Sequence, residues 1–375
     1  MMTPRERLLT VLQGDLPDCV PVAPDFSQMI PARLTGKPFW DLYLYNDPPI
    51  WEAYIECAKH FDIDALMDGY FPFRFPGEED VPWTEYIVER TPERIVTQKA
   101  TDDSGFLRWA DDVTVYRIDN PRVSVPPERI GRPPEPVRWE PVEGVKPVDL
   151  GPDGLRRCKQ LMGDQGLVGV GVTSTCVIHN ERELYDYVDN PARYECLAEE
   201  RVEATERRVK TLLSLDIRPD FICVGGSGTL VFQTVDMFRR LAFPAVQRAI
   251  ELADEAGLPT HVHSCGPEKQ LVQIFAEETG LTVIDPLEQP PMGDCDLAEL
   301  KRLYGSRLVL KGNLHTTEMM LNGSPADVAA ASRRAIDDAA EGGRFILSTG
   351  DQCGRDTPDA NLHAMVQTAR TYGRY

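Results

Sequence analysis

The sequence predicts an α/β protein, a single (β/α)8 TIM barrel spanning residues 1–375, with a β-hairpin or meander inserted after the second strand. Three observations carry this. From residue 150 onward, short apolar runs alternate with helix-like patterns in a regular rhythm. The runs are apolar on consecutive residues, as in a parallel sheet buried on both faces. Six such runs join two near the N-terminus, and eight strands are what a closed barrel needs. An open doubly wound sheet is the competing architecture, but no G-x-G-x-x-G follows a strand, and the cluster Gly225-Gly-Ser-Gly228 is weak support for a phosphate site.

Thr3-Pro-Arg-Glu6 supplies an N-cap, a proline in the first turn and a capping-box glutamate, which starts a helix that ends at Gly14. Residues 19–25 read as the first strand, 49–60 as a helix and 64–70 as the second strand. Between 72 and 148 prolines are dense and the segments between them alternate, with Asp-Ser-Gly105 at a turn. That is an excursion of β character from the barrel. The later strands are expected at 166–172, 221–225, 260–263, 281–285, 308–311 and 345–348. Helices are expected at 194–214, 235–256, 268–279, 326–341 and 359–372.

The net charge of −20 repels phosphate backbones and anionic lipid, so neither nucleic acid nor a membrane is an expected partner. The same charge also serves plain solubility. No run reaches the ~18 apolar residues that span a bilayer, and the opening residues 1–9 show neither an apolar h-region nor a cleavage signature. Nine scattered cysteines without paired spacing read as reduced thiols, and a cytoplasmic location is the expectation.

In a barrel the chemistry sits at the C-terminal ends of the strands. Those ends offer Asp25, Asp68, residues 173–175, Ser227, His263, Cys265, Asp285, Glu288, Asn313, His315, Asp351 and Cys353. Thr260-His-Val-His-Ser-Cys-Gly266 is the most informative stretch. Its alternation sends His261, His263 and Cys265 to one face, and imidazole and thiolate are ligands that zinc favours. Cys353, at the end of the last strand, is the expected third ligand beside His263 and Cys265. His261 lies one strand position deeper, which suits a core or orienting histidine. Asp285 and Glu288 are candidates for a fourth ligand, an acid/base group or helix-cap electrostatics. His315 is a candidate acid/base group at the mouth, and Thr316 and Thr317 can cap the helix that follows. Ser227 and Asn313 are the polar strand-end positions assigned to cofactor contact.

The second half of the chain resembles the uroporphyrinogen decarboxylase superfamily. The resemblance rests on Gly257-Leu-Pro-Thr-His-Val-His-Ser-Cys-Gly266, on Gly312-Asn-Leu314, on Thr349-Gly-Asp-Gln-Cys-Gly-Arg-Asp-Thr-Pro358 with Asn361, and on the opening Thr-Pro-Arg-Glu-Arg-Leu-Leu with 14–22. That superfamily is a single (β/α)8 barrel, and it holds cofactor-free porphyrinogen decarboxylases and zinc-dependent, cobalamin-linked methyltransferases. The decarboxylases carry arginines after the first strand to clamp substrate carboxylates. Here the segment reads Pro24-Asp-Phe-Ser-Gln-Met-Ile30, without arginine before Arg33. The methyltransferases carry His-x-Cys-Gly and a late Cys, matched by His263, Cys265-Gly266 and Cys353. One departure is that Asp351-Gln352 precedes Cys353, a shift that would leave Asp351 or Glu288 to complete the metal shell.

The resemblance implies Zn2+ held by His263, Cys265 and Cys353, while Glu288, His315 and Asp285, by their places at the strand ends, are the expected catalytic groups. It further implies a methyl group moved between a small-molecule donor or acceptor (a methoxyaromatic or a thiol) and a methylcobamide carried by a corrinoid protein. Zinc lowers the pKa of a bound thiol or acts as a Lewis acid on an ether oxygen. Two other readings compete: a metal-free decarboxylase, and a non-catalytic barrel that binds zinc or a tetrapyrrole.

Overall fold

The computed structural model describes residues 1–78 and 83–375, so residues 79–82 of the expected insertion lie outside the described residues. In chain order the strands are β1 (Ala65–Met67), β2 (Thr84–Arg90), β3 (Arg94–Asp103), β4 (Phe106–Arg117), β5 (Val123–Val125) and β6 (Glu140–Pro141). Then come β7 (Gly166–Gly171), β8 (Phe221–Cys223), β9 (Thr260–His263), β10 (Val283–Asp285), β11 (Val309–His315) and β12 (Phe345–Gly350). The chain forms two compact units. One comprises Met1–Phe26, Ala58–Phe73 and Leu150–Tyr375, and the other Ser27–Cys57 and Arg74–Asp149.

In the first unit β1 and β7 to β12 form one parallel sheet in chain order. The expected first strand takes the eighth place. Leu347 N donates to Pro21 O and Ala23 N to Leu347 O, both at 2.9 Å, while Asp64 N donates to Val22 O at 2.8 Å. Residues 20–24 therefore lie between β12 and β1, and the eight-stranded circuit is complete. Their pairing is sparse because Pro21 and Pro24 have no N–H to give.

The floor of the barrel follows from the first ten residues. The helix Pro4–Gln13 carries the expected capping box at Thr3 and Glu6, and it stops at Gly14, whose φ of 86° suits glycine. Its Leu8, Val11 and Leu12 pack with Ala23, Leu66, Leu167, Phe221, Val283, Val309 and Ile346, one residue from nearly every strand. Burying each such side chain contributes roughly 1.5–3 kcal/mol. With the N-terminal end plugged, the C-terminal ends of the strands are left to form the mouth.

A buried ionic latch ties the two chain ends to this floor. The Asp64 carboxylate, fully buried, accepts from Arg7 Nη1 at 2.5 Å, Arg370 Nη1 at 2.7 Å and Val22 N at 2.7 Å.

Several helices differ from the sequence reading. The expected helix 235–256 is two, Val235–Leu241 and Phe243–Glu255, because Pro244 can only enter in a first turn. The helices Glu181–Asp189 and Leu297–Tyr304 were not among those expected, and the helix expected after His315 is a π-helical turn at Thr316–Leu321. β11 runs on to His315, which puts Asn313 inside a strand rather than past its end. Among the described residues no helix is long and apolar enough to cross a membrane.

The second unit contains a five-stranded antiparallel sheet in the order β5-β4-β3-β2-β6. The β3–β4 hairpin turns at Ser104 and Gly105, both with positive φ, and Gly105 N donates to Asp102 Oδ1 at 2.7 Å. Leu44, Ile87, Ile95 and Tyr116 form one small core, and Val96, Val113 and Val115 form another.

Candidate metal centre

The parallel register of the strands positions the histidines. His261 pairs with Val283 and His263 with Asp285, so both imidazoles of β9 flank the last residue of β10. Cys265 lies two residues past the end of β9, at the mouth. His263, Cys265 and Asp351 each offer a ligand atom, and these atoms all lie within 4.8 Å of one another. One nitrogen, one sulfur and one oxygen make a donor set that suits zinc. The Nε2 of His263 and the Oδ1 of Asp351 are buried, have no hydrogen bond and stand 3.7 Å apart. Unpaired buried polar atoms are costly, so these two residues fit a metal ion better than an empty pocket. Asp351 also has a φ of 93°, a backbone conformation that a non-glycine residue holds only under constraint.

Cys353, the expected third ligand, is not in this group. It is fully buried, its N–H donates to Asp25 O at 2.9 Å, and burial pushes its thiol up to about 12. The Asp-Gln that precedes it in the sequence places the Asp351 carboxylate beside His263 instead.

Beneath lies a second group, Asp68, His261 and Asp285. Asp285 Oδ1 is 3.2 Å from His263 Nδ1 and 3.1 Å from His261 Nε2, whose ring carries Nδ1 3.6 Å from Asp68 Oδ2. The other Asp285 oxygen, Oδ2, pairs with the ammonium of Lys311, and both side chains are nearly fully buried. Burial works against the charge of each. For Asp285 the charges of Lys311, His261 and His263 overcome it and hold the carboxyl well below its usual range; for Lys311 the charge of Asp285 does the same and holds the ammonium above its own. For His263, too, burial disfavours the cation. The charge of Asp285, with the close approach of its carboxylate and of Cys265, overcomes it and raises the imidazole well above its ordinary value.

The remaining candidates fall into distinct roles. Glu288 Oε2 accepts from Gly266 N at 2.5 Å and so pins the loop that carries Cys265, and burial raises its carboxyl. Helix capping belongs to neither Asp285 nor Glu288. It is Asp294 Oδ1 that accepts from Glu268 N and Lys269 N at the start of the helix Lys269–Glu278. His315 Nδ1 accepts from Thr317 N and Glu318 N at 3.2 Å, so the cap of the next turn is the imidazole itself rather than Thr316 or Thr317. Asn313 is buried, donating from Nδ2 to Leu287 O at 2.8 Å and accepting from Gln289 Nε2 at 3.1 Å. Ser227 is exposed in the turn after β8. Within its glycine cluster, a Cβ on Gly225 would stand 2.2 Å from His263 N, so that glycine lets β9 pass.

Sequence reasoning missed Glu268. It is fully buried, accepts from Leu287 N at 2.9 Å through Oε2, and leaves Oε1 without a partner. Burial raises its carboxyl well above the usual range. As the first residue of the helix expected at 268–279, it carried no sequence signal of burial. Also unforeseen is the hydroxyl cluster of Thr175, Thr229 and Ser264, which joins the chain past the ends of β7, β8 and β9 through contacts of 2.5 and 2.8 Å.

Comparison with known proteins gives a consistent picture. Residues 220–372 match the uroporphyrinogen decarboxylase (URO-D) family. The methylcobamide:CoM methyltransferase MtbA of Methanosarcina mazei is 25% identical over 169 residues, 44% of this chain and 43% of that protein. MtbA of Methanosarcina acetivorans is 25% identical over 167 residues, with the same coverage. The chain thus spans less than half the length of the curated relatives it matches. A solved methyltransferase structure from Methanosarcina mazei superposes over 99% of both chains with a TM-score of 0.61 at 16% identity, which speaks for the fold. The chain therefore resembles the uroporphyrinogen decarboxylase superfamily on its corrinoid methyltransferase branch, with the family match itself lying in residues 220–372.

Proposed function

We propose that this protein is a zinc-dependent methyltransferase of a corrinoid system. The observation that carries the reading is the His263–Cys265–Asp351 group at the mouth, with two of its atoms buried and unpaired. The similarity to MtbA supplies the reaction class. His263, Cys265 and Asp351 would hold the ion. Zinc, when bound, would stabilise a thiolate, or polarise an ether oxygen, at neutral pH. Glu288 fixes the Cys265 loop through the Gly266 amide, and Asp285 holds the imidazole of His263 from behind. Three protein ligands leave a position for substrate, as catalytic zinc sites do. The other reactant is a methylcobamide on a partner corrinoid protein, and the small substrate is a thiol or a methylated compound such as a methoxyaromatic.

The test joins metal content to turnover. Protein purified without chelators should carry about one zinc per chain, and it should demethylate methylcobalamin when given a thiol, seen as the spectral change of the corrinoid. A wild-type protein that neither holds zinc nor takes it up would sink this reading and favour the metal-free decarboxylase. Tight zinc without transfer to any thiol, and without demethylation of methoxyaromatics by the cobalt(I) corrinoid, would favour a non-catalytic barrel.

A further inference from the structure

We infer that Asp285 is a positioning residue that fixes which nitrogen of His263 faces the metal, and that Lys311 and His261 hold Asp285 in that task. The inference rests on the zinc reading above and adds a role for the charged cluster below the site.

A ligating imidazole binds metal through one nitrogen, and the partner of the other nitrogen sets the tautomer. Asp285 Oδ1 lies 3.2 Å from His263 Nδ1, within ion-pair reach though not hydrogen-bonded, so the carboxylate is the anionic neighbour that favours a proton on Nδ1. That leaves Nε2, the buried atom without a hydrogen bond, on the side of Asp351. The strand register makes the arrangement rigid, because His263 and Asp285 are paired residues of adjacent strands. The carboxylate is held in its turn. Its Oδ2 pairs with Lys311, and its Oδ1 also faces His261 Nε2 at 3.1 Å, with Asp68 behind that ring.

The same residues could be taken for a second metal site, since Asp68, His261 and Asp285 bring three ligand atoms together. Two features argue for positioning instead. Lys311 already supplies a positive charge to Asp285 inside the barrel, and a divalent ion beside that ammonium would be repelled. Both imidazoles also converge on one oxygen, Asp285 Oδ1, at 3.1 and 3.2 Å, ion-pair contacts that flank it with two ring nitrogens, while Asp285 Oδ1 and His261 Nε2 themselves form no hydrogen bond. An anionic carboxylate behind a histidine ligand strengthens its basicity, and removing such a partner typically costs 10–100-fold in metal affinity.

The experiment uses zinc and cobalt(II) as probes on the full chain. Zinc stoichiometry and affinity, by competition with a chromophoric chelator, and the visible spectrum of the cobalt(II) form are measured for wild type, Asp285→Asn, His261→Gln and the double variant Asp285→Asn/Lys311→Met. The double variant removes both charges of the buried pair, so it still reports if Asp285→Asn alone fails to fold. Expected are one zinc per wild-type chain, an affinity lower by about 10–100-fold in both Asp285 variants, an altered cobalt spectrum and a smaller loss in His261→Gln. Wild-type affinity and spectrum in the folded double variant would overturn the positioning role while leaving the zinc reading intact. Two metal ions per wild-type chain, one of them lost with Asp285, would overturn it by making Asp285 a ligand. A wild type that binds neither probe would overturn both.

Discussion

Asp351 Oδ1 stands 3.7 Å from His263 Nε2, and neither atom has a hydrogen bond although both are buried. Two residues further on, Cys353 is turned into the core. The ligand set is therefore expected to be His-Cys-Asp. Asp351→Asn should lower zinc affinity by at least about tenfold, because a neutral amide replaces an anionic ligand. Cys353→Ala should keep stoichiometric zinc and show only the modest destabilisation of a small core cavity, about 1 kcal/mol. Asp351→Cys should retain zinc, since thiolate is itself a favoured ligand. Zinc lost in Cys353→Ala and kept in Asp351→Asn would reverse the assignment.

Closure of the barrel gives a second prediction. Asp64 meets Arg7 of the first helix, Arg370 of the last and the amide of Val22 in the sparsely bonded first strand. Asp64→Asn keeps the shape but takes the carboxylate partner from Arg370 and leaves Arg7 with only the half-buried Asp18. Breaking such a network by removing one partner costs about 3–5 kcal/mol. Urea denaturation should show a loss of that size. A midpoint within experimental error of wild type would mean that the latch is dispensable and that the floor packing around Leu8 and Leu12 suffices.

These features show what could be read in advance. The strands were legible because apolar runs such as 166–172 are buried on both faces, and the first helix was legible because Thr3, Pro4, Glu6 and Gly14 mark both of its ends. His263 and Cys265 stood out by spacing and ligand chemistry. Asp351 was legible only as an alternative, because the choice between it and Cys353 depends on how a two-residue shift turns the backbone after β12. The charge pair of Asp285 and Lys311 was hidden for another reason. Lys311 lies within an apolar strand, and sequence gives no means of knowing that a lysine there points inward to a carboxylate from the adjacent strand. Glu268 was missed on the same ground, since its burial comes from the chain leading back to Leu287 rather than from its own helix.

Glu268 yields a third prediction. Burial raises its carboxyl well above the usual range, which favours the neutral acid in the folded protein. Glutamine copies that shape and can still accept the Leu287 N–H. Glu268→Gln should change unfolding stability by less than about 1 kcal/mol, whereas Glu268→Ala leaves that buried amide unmatched at a cost of about 1–3 kcal/mol. Chemical denaturation of the two variants side by side tests this. A glutamine variant as damaged as the alanine variant would show that the negative charge itself is required.

Lys301 supplies the pH dependence. Burial, with the nearby charge of Arg344 adding to it, lowers the ammonium from 10.5 to about 8, and its Nζ donates to Gly343 O. Between those two values the unfolded chain binds the proton that the folded chain has released, so folding stability from this group rises with pH across that window. Below about pH 8 the lysine is charged in both states and its burial cost is fully present. Lys301→Met removes the titration and, whatever constant offset the lost Gly343 contact brings, should change the slope. Relative to wild type, the variant should be most favoured near pH 7 and lose that advantage towards pH 10.5, by on the order of 1 kcal/mol once solvent screening is allowed for. Urea unfolding of both proteins across this range reads the difference directly. A difference that does not vary with pH would mean that Lys301 titrates alike in the folded and unfolded chain.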